Sequence, residues 1–511
     1  MMLRICYFLI LFPVLILCAS EYTRHDFPAA FIFGSGTSSY QVEGAAYLDG
    51  KGVGIWDNYT HAGNMGGVTA DVSVDQYHKY KEDVKLMAQS SLDAYRFSIS
   101  WSRLIPNGRG AVNPMGLQYY NNLINELITH GIQPHVTIYH FDHPQVLEDE
   151  YGGWLSRKIV KDFTEYAQVC FREFGDRVSH WTTLNEPNAI TLLGYDAGTF
   201  PPNRCSLPLG VNCTKGNSSY EPYLVAHHIL LAHASAVKLY REKYQGKQGG
   251  LIGINVLALG TAPLTNSVED VLATQRANDY WVGLIMHPVV FGDYPATVKK
   301  NTGLRLPVFT NHESKLLKGS FDFVGVNHYS SVLIKDNPSI LNLKFRDIFV
   351  DMAVDMIAPG ITNTSFEFPI TPWGMQAVLE YFKKEYGNPP IYIHENGQMT
   401  KRTSSLDDTS RVEYLEAYIG SVLDSIRNGS NTRGYFTWAL LDVFEFFGGY
   451  DMCYGLYYVD LEDPELKRVP KLSAHWYSHF LKGGIVTGSS SDGLIQLPNN
   501  LSPLSLTHLI K

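Results

Sequence analysis

Two stretches decide how the chain folds: WTTLNEPN at Trp181–Asn188 and IYIHENG at Ile391–Gly397. In each, a short run of Trp, Thr, Ile and Tyr, residues suited to a pleated strand, ends in a glutamate. The next residues are Pro, Asn or Gly, which stop strands. Glu186 and Glu395 are therefore expected at the C-terminal tips of two strands, far enough apart in the chain that only the fold can bring them together.

Working outward, strand-like and helix-like stretches alternate. Phe31–Ala45 reads as a strand followed by a polar loop, and Tyr77, Tyr80, Val84 and Met87 then recur at helical spacing. Asp93–Ser100 is a second strand, followed by a helix carrying Leu117, Tyr120, Ile124 and Leu127 and ended by Gly131. The strand Gln133–Tyr139 is followed by a helix with Ile159, Phe163, Tyr166 and Phe174, then by the strand Trp181–Asn185. A helix over 221–244, the strand Leu251–Val256, a helix over 271–286 and the strand Phe321–Tyr329 continue the pattern. One helix with Met375, Val378, Leu379 and Phe382 precedes IYIHENG, and another with Val412, Leu415, Ile419 and Leu423 precedes the strand Arg433–Leu440.

Eight strands alternating with helices imply an α/β protein with a parallel sheet, and the count favours one closed (β/α)8 TIM barrel over 21–484 with long βα-loop insertions. No G-x-G-x-x-G follows the first strand, against a dinucleotide-binding sheet. The longest non-periodic segments, Gly194–Tyr220 and Ser330–Phe368, should wall the mouth at the strand tips.

Residues 1–20 carry Arg4, an apolar run from Ile5 to Leu17 and small residues at Ala19 and Ser20, the form of a cleaved signal peptide. No other stretch is apolar enough to span a bilayer, so no membrane association is expected after cleavage. Residues 485–511 read as an irregular tail. N-x-S/T sequons at Asn58, Asn212, Asn217, Asn363, Asn428 and Asn500 fit a secretory route ending in the cell wall or vacuole. Cys205 and Cys213 flank a short Pro-, Gly- and Asn-rich loop, so a local disulfide is expected, whereas Cys170 falls on the apolar stripe of a helix. A net charge of −9 without a basic cluster argues against nucleic acid. No Cys or His spacing suggests a metal site, and no cofactor is expected.

Two carboxylates on strand tips can serve as acid and nucleophile in glycoside hydrolysis, and an aromatic share of 13% suits flat sugar faces as well as core. The motifs QVEGA (41–45), HFDHP (140–144), TLNEP (183–187), NHY (327–329), HENG (394–397) and WALLDVFEF (438–446) sharpen this. In that order they resemble glycoside hydrolase family 1, and the chain is most similar to plant β-glucosidases of that family over Phe27–Lys482. The resemblance implies that Glu186 is the acid/base and Glu395 the nucleophile of a retaining enzyme. It implies that Arg96 and Tyr329 support the nucleophile. Gln41, His140, Asn185, Trp438, Glu445 and Phe446 fall at its glycone-binding positions. An ionised Glu395 should raise the pKa of Glu186, and esterification of Glu395 should release that repulsion.

The chain departs from the family pattern at Phe141, where Trp is usual, at His394 (Thr), Val443 (Asn) and Phe446 (Trp). Phe446 loses an indole donor, and His394 would set a titratable ring beside the nucleophile. Trp373 lies too close to Glu395 in sequence to match the family's aglycone-stacking Trp. Glu186 excludes the thioglucosidase pattern, and Glu445 would repel a 6-phospho-sugar. The resemblance thus implies hydrolysis of small β-D-glucosides through a covalent glucosyl-enzyme. The same intermediate could also pass glucose from an acyl-glucose donor to a phenolic or anthocyanin acceptor.

Overall fold

The computed structural model describes residues 21–211, 213–359, 367–403 and 405–487. The expected leader, residues 488–511 of the expected tail and the sequons at Asn212, Asn363 and Asn500 lie outside them, whereas Val486–Thr487, expected to be irregular, pair antiparallel with Glu21–Tyr22.

Eight parallel strands close a barrel: β1 Ile32–Gly36, β2 Ala94–Ser98, β3 Gln133–Tyr139, β4 His180–Leu184, β5 Leu251–Leu257, β6 Phe323–Asn327, β7 Ile391–Asn396 and β8 Thr432–Trp438. They follow one another around the ring in chain order, with β8 pairing with β1 to close it. Their residues are buried almost throughout, as a sheet covered on both faces requires. Helices Gln76–Gln89, Pro114–Thr129, Lys158–Phe174, Glu221–Tyr240, Trp373–Glu385 and Thr409–Arg427 pack outside, each near its expected place. The helix expected over 271–286 is two helices, Val268–Trp281 and Gly283–Phe291, broken at Val282.

The barrel floor is a small cluster of Ala94, Phe323, Tyr392 and Phe436, with His135 stacked on His180 beside it at 4.1 Å between ring centroids. Gly253 keeps β5 and β6 close there, since a Cβ would lie 2.3 Å from the Phe323 carbonyl oxygen.

The two long insertions are more ordered than their lack of periodicity suggests. After β4 the chain forms a helix, Pro187–Tyr195, and then a loop closed by the Cys205–Cys213 disulfide. Its base is tied by the Arg204–Glu221 ion pair and by reciprocal hydrogen bonds between Ser206 and Ser218. After β6, Ser331–Asp336 and Val354–Ile357 pair antiparallel, and Gly260–Pro263 joins them in parallel as a three-stranded sheet. These strands are too short to show a period of two. At the remaining described sequons, Asn58, Asn217 and Asn428 are all exposed.

Replacing Cys205 and Cys213 by Ser removes a short-loop closure worth about 2–3 kcal/mol in the chain-entropy model. Limited proteolysis should then cut the variant first within that loop, and equal cleavage rates in variant and wild type would contradict this.

Candidate active site

Both glutamates sit at strand tips, but different backbone devices aim them. Glu186 follows β4 in the left-handed region, with φ 43° and ψ 60°, immediately before the Pro187 that opens the next helix. A non-glycine residue there costs about 1–3 kcal/mol, so the turn stores strain at this side chain. Glu395 lies on β7, where the ladder to β6 skips between Ile393 and Glu395. Such an irregularity re-aims side chains, and both His394 and Glu395 find partners on the interior side.

Glu395 is held by two donors. Arg96 of β2 donates to Oε1 at 2.5 Å, and the Tyr329 hydroxyl, just past β6, donates to Oε2 at 2.6 Å. Burial and the facing carboxylate push the tyrosine pKa well up, so its hydroxyl remains a donor. Arg96 also donates to Asn185 Oδ1 at 2.6 Å. Asn185 lies next to Glu186, and Asn327 Nδ2 donates to both Asn185 Oδ1 (3.1 Å) and Glu186 Oε1 (2.7 Å). One unbroken set of hydrogen bonds therefore joins the two carboxylates.

Burial first, and then the Glu395 charge, push the Glu186 pKa up to about 8. The expected like-charge repulsion is present, but desolvation is the larger cause.

The remaining expected residues converge on the same end of the barrel. Gln41 Nε2 donates to Glu445 Oε2 at 2.9 Å and to the Phe444 carbonyl, while Ser38 holds its Oε1. Asn185 Nδ2 lies 3.1 Å from His140 Nε2, and the His140 ring stacks on Trp438 at 5.9 Å. Burial and the Arg96 charge keep His140 neutral at ordinary pH. His140 Nδ1 and Glu445 Oε1 are buried without a protein partner. Phe446 packs among Trp56, Phe141 and Phe200 at 4.4, 5.6 and 5.7 Å, an aromatic cluster in which Phe446 itself brings no donor.

One expectation is corrected by the structure. His394 is adjacent to Glu395 in sequence, but its ring points into the barrel interior, among His135, Phe323 and Phe436. Burial holds it neutral, so it brings no titrating ring to the pocket. Val443 is wholly buried in the core. Sequence reading also passed over Asn327 as a site residue, although it opens the NHY triplet that drew attention to Tyr329. Beside His140 in HFDHP, Asp142 accepts from Ser39 at 2.8 Å, and burial pushes its pKa up to about 7.

Residues 23–484 match the model of glycosyl hydrolase family 1. The chain belongs to this family. Beta-glucosidase 11 of Arabidopsis thaliana is 60% identical, the match covering 91% of this chain and 94% of that one. Cyanidin 3-O-glucoside 7-O-glucosyltransferase (acyl-glucose) of Delphinium grandiflorum is 55% identical over 90% of each. A rice beta-glucosidase mutant, solved in covalent complex with glucose, superposes with a TM-score of 0.87 at 44% identity, covering 90% of this chain and 99% of that one. The (β/α)8 barrel described above is the architecture of this family 1 member.

The raised Glu186 pKa has a stability consequence. The folded protein keeps that proton up to about pH 8, while an unfolded chain releases it near the ordinary 4.5. Stability from this group is full below pH 4.5 and lost as pH rises toward 8. Glu186→Gln should therefore gain in Tm relative to wild type across that window and level off above it. A Tm difference independent of pH would contradict the assignment.

Proposed function

We propose that the chain is a retaining β-glucosidase that removes terminal β-D-glucosyl residues from small glucosides by double displacement. Glu395 attacks the anomeric carbon and forms a glucosyl ester, while Glu186 delivers its proton to the departing oxygen. The observation that carries this is the contrast between the two carboxyls. Both oxygens of Glu395 accept from Arg96 and Tyr329, whereas burial keeps Glu186 protonated up to about pH 8. Once Glu395 is esterified its charge is gone, and the pKa of Glu186 falls. Glu186 can then take a proton from the water that attacks the ester.

The glycone contacts follow from the same geometry. His140 Nδ1 and Glu445 Oε1 can pair with sugar hydroxyls, Gln41 and Asn185 add amide groups, and Trp438 offers a flat face. The Cys205–Cys213 disulfide, the leader-like residues 1–20 and the exposed Asn58, Asn217 and Asn428 support a secretory destination, vacuole or cell wall.

A second reading rests on the Delphinium relative, whose name assigns it an acyl-glucose-dependent glucosyltransferase. Water and an alcohol compete for one glucosyl ester, and about 1.4 kcal/mol between their barriers changes the product ratio tenfold.

One assay separates these readings. With an aryl β-glucoside, wild type should release glucose, and Glu186→Gln should slow that by about 10²–10⁴-fold. With an acyl-glucose donor and a phenolic acceptor, free glucose should still dominate. Glucoside as the main product would support the transferase, and an unaffected Glu186→Gln would refute both.

A further inference from the structure

Below the two carboxylates lies a chain of amides whose orientation is fixed from one end. A guanidinium can only donate, so Arg96 Nη2 compels Asn185 to present its oxygen, and Asn185 Nδ2 faces His140 Nε2. Asn327 meets two acceptors, Asn185 Oδ1 and Glu186 Oε1, so its nitrogen faces them and its oxygen faces down. There Asn255 Nδ2, on β5, donates to Asn327 Oδ1 at 2.8 Å. The second hydrogen on Asn255 Nδ2 points at His394 Nδ1, 3.3 Å away, which must therefore carry a lone pair.

Asn255, Asn327 and His394 are all fully buried, so bulk solvent does not reach these contacts. Gly325 on β6 leaves the room in which they meet. A Cβ there would lie 2.5 Å from His394 Nδ1 and 2.9 Å from Asn255 Nδ2.

We propose that Asn255, braced by His394 across Gly325, is a positioning residue that locks the Asn327 amide so that it donates to Glu186 Oε1 and leaves Oε2 to carry the transferred proton. This rests on Glu186 being the acid, the reading given above. If Asn255 does not donate, Asn327 Oδ1 loses that bond, the amide is held from its nitrogen side alone, and its hydrogen bond to Glu186 is aimed less well. The His394 that looked like a departure beside the nucleophile instead acts on the opposite partner, through two amides.

Leaving-group dependence tests this. In Asn255→Leu, kcat/KM for a phenyl or alkyl β-glucoside, which needs the proton, should fall about 10- to 100-fold, the range for one lost hydrogen bond to a charged or reacting group. The value for 2,4-dinitrophenyl β-glucoside, which departs without a proton, should stay within a few-fold. Because the Asn327 hydrogen bond lowers the Glu186 pKa, the alkaline limb of kcat/KM should also move up. Asn255→Ser, a smaller change should the leucine variant not fold, should move both readouts in the same direction. Equal losses on both substrates with an unmoved pH profile, in whichever variant folds, would overturn the proposal and leave the glucosidase reading standing. A wild type inactive on both substrates would overturn that reading, and this one with it.

Discussion

Arg96 is a full positive charge at 1% exposure inside a barrel, and the rest of the site is arranged to answer it. Taking such a charge out of water costs several kcal/mol unless it is paired and its donors are satisfied. Glu395 supplies the countercharge and Asn185 takes a second N–H, so the cation fixes the two strand tips, β7 and β4, that bear the carboxylates. From Asn185 the same constraint runs through Asn327 to Glu186. One network thus joins the two carboxyls, while burial is what keeps the proton on Glu186. Removing one partner of a buried ion pair typically costs about 3–5 kcal/mol, so substitutions at Glu395 act on stability as well as chemistry.

This design separates two carboxyls by environment. Glu395 accepts on both oxygens, and Glu186 has one amide donor in a desolvated pocket. Because desolvation raises the Glu186 pKa more than the neighbouring charge does, esterification of Glu395, as proposed, would remove only the smaller contribution. On the other side of the pocket, Phe141 and Phe446 replace donors with apolar surface, and Trp56 and Phe200 extend it.

Much of the barrel was legible in the sequence because its strands and helices differ in period and are punctuated by Gly and Pro. Gln133–Tyr139 and IYIHEN matched their strands closely for that reason. The sheet made by Gly260–Pro263, Ser331–Asp336 and Val354–Ile357 was not legible, since short strands joined from separate insertions leave no local signal. His140, Asn185, Glu186, Tyr329, Glu395 and Trp438 share one end of the barrel because each lies at or just past the tip of its strand. His394 was misplaced because sequence adjacency does not say which way a side chain points where a ladder skips. Asn255 was invisible for a different reason. Its importance comes from contacts with Asn327 and His394, on two other strands, and an Asn within LIGINV reads as an ordinary strand residue.

The central claim is that Glu395 becomes covalently bonded to the sugar. A 2-deoxy-2-fluoro-β-glucoside with a good leaving group slows breakdown of such an ester, so peptide mass spectrometry after incubation reads the claim directly. One fluoroglucosyl group should be added to the peptide bearing Glu395, together with loss of activity. A label on Glu186 instead, or release of sugar with inverted anomeric configuration and no label, would contradict it.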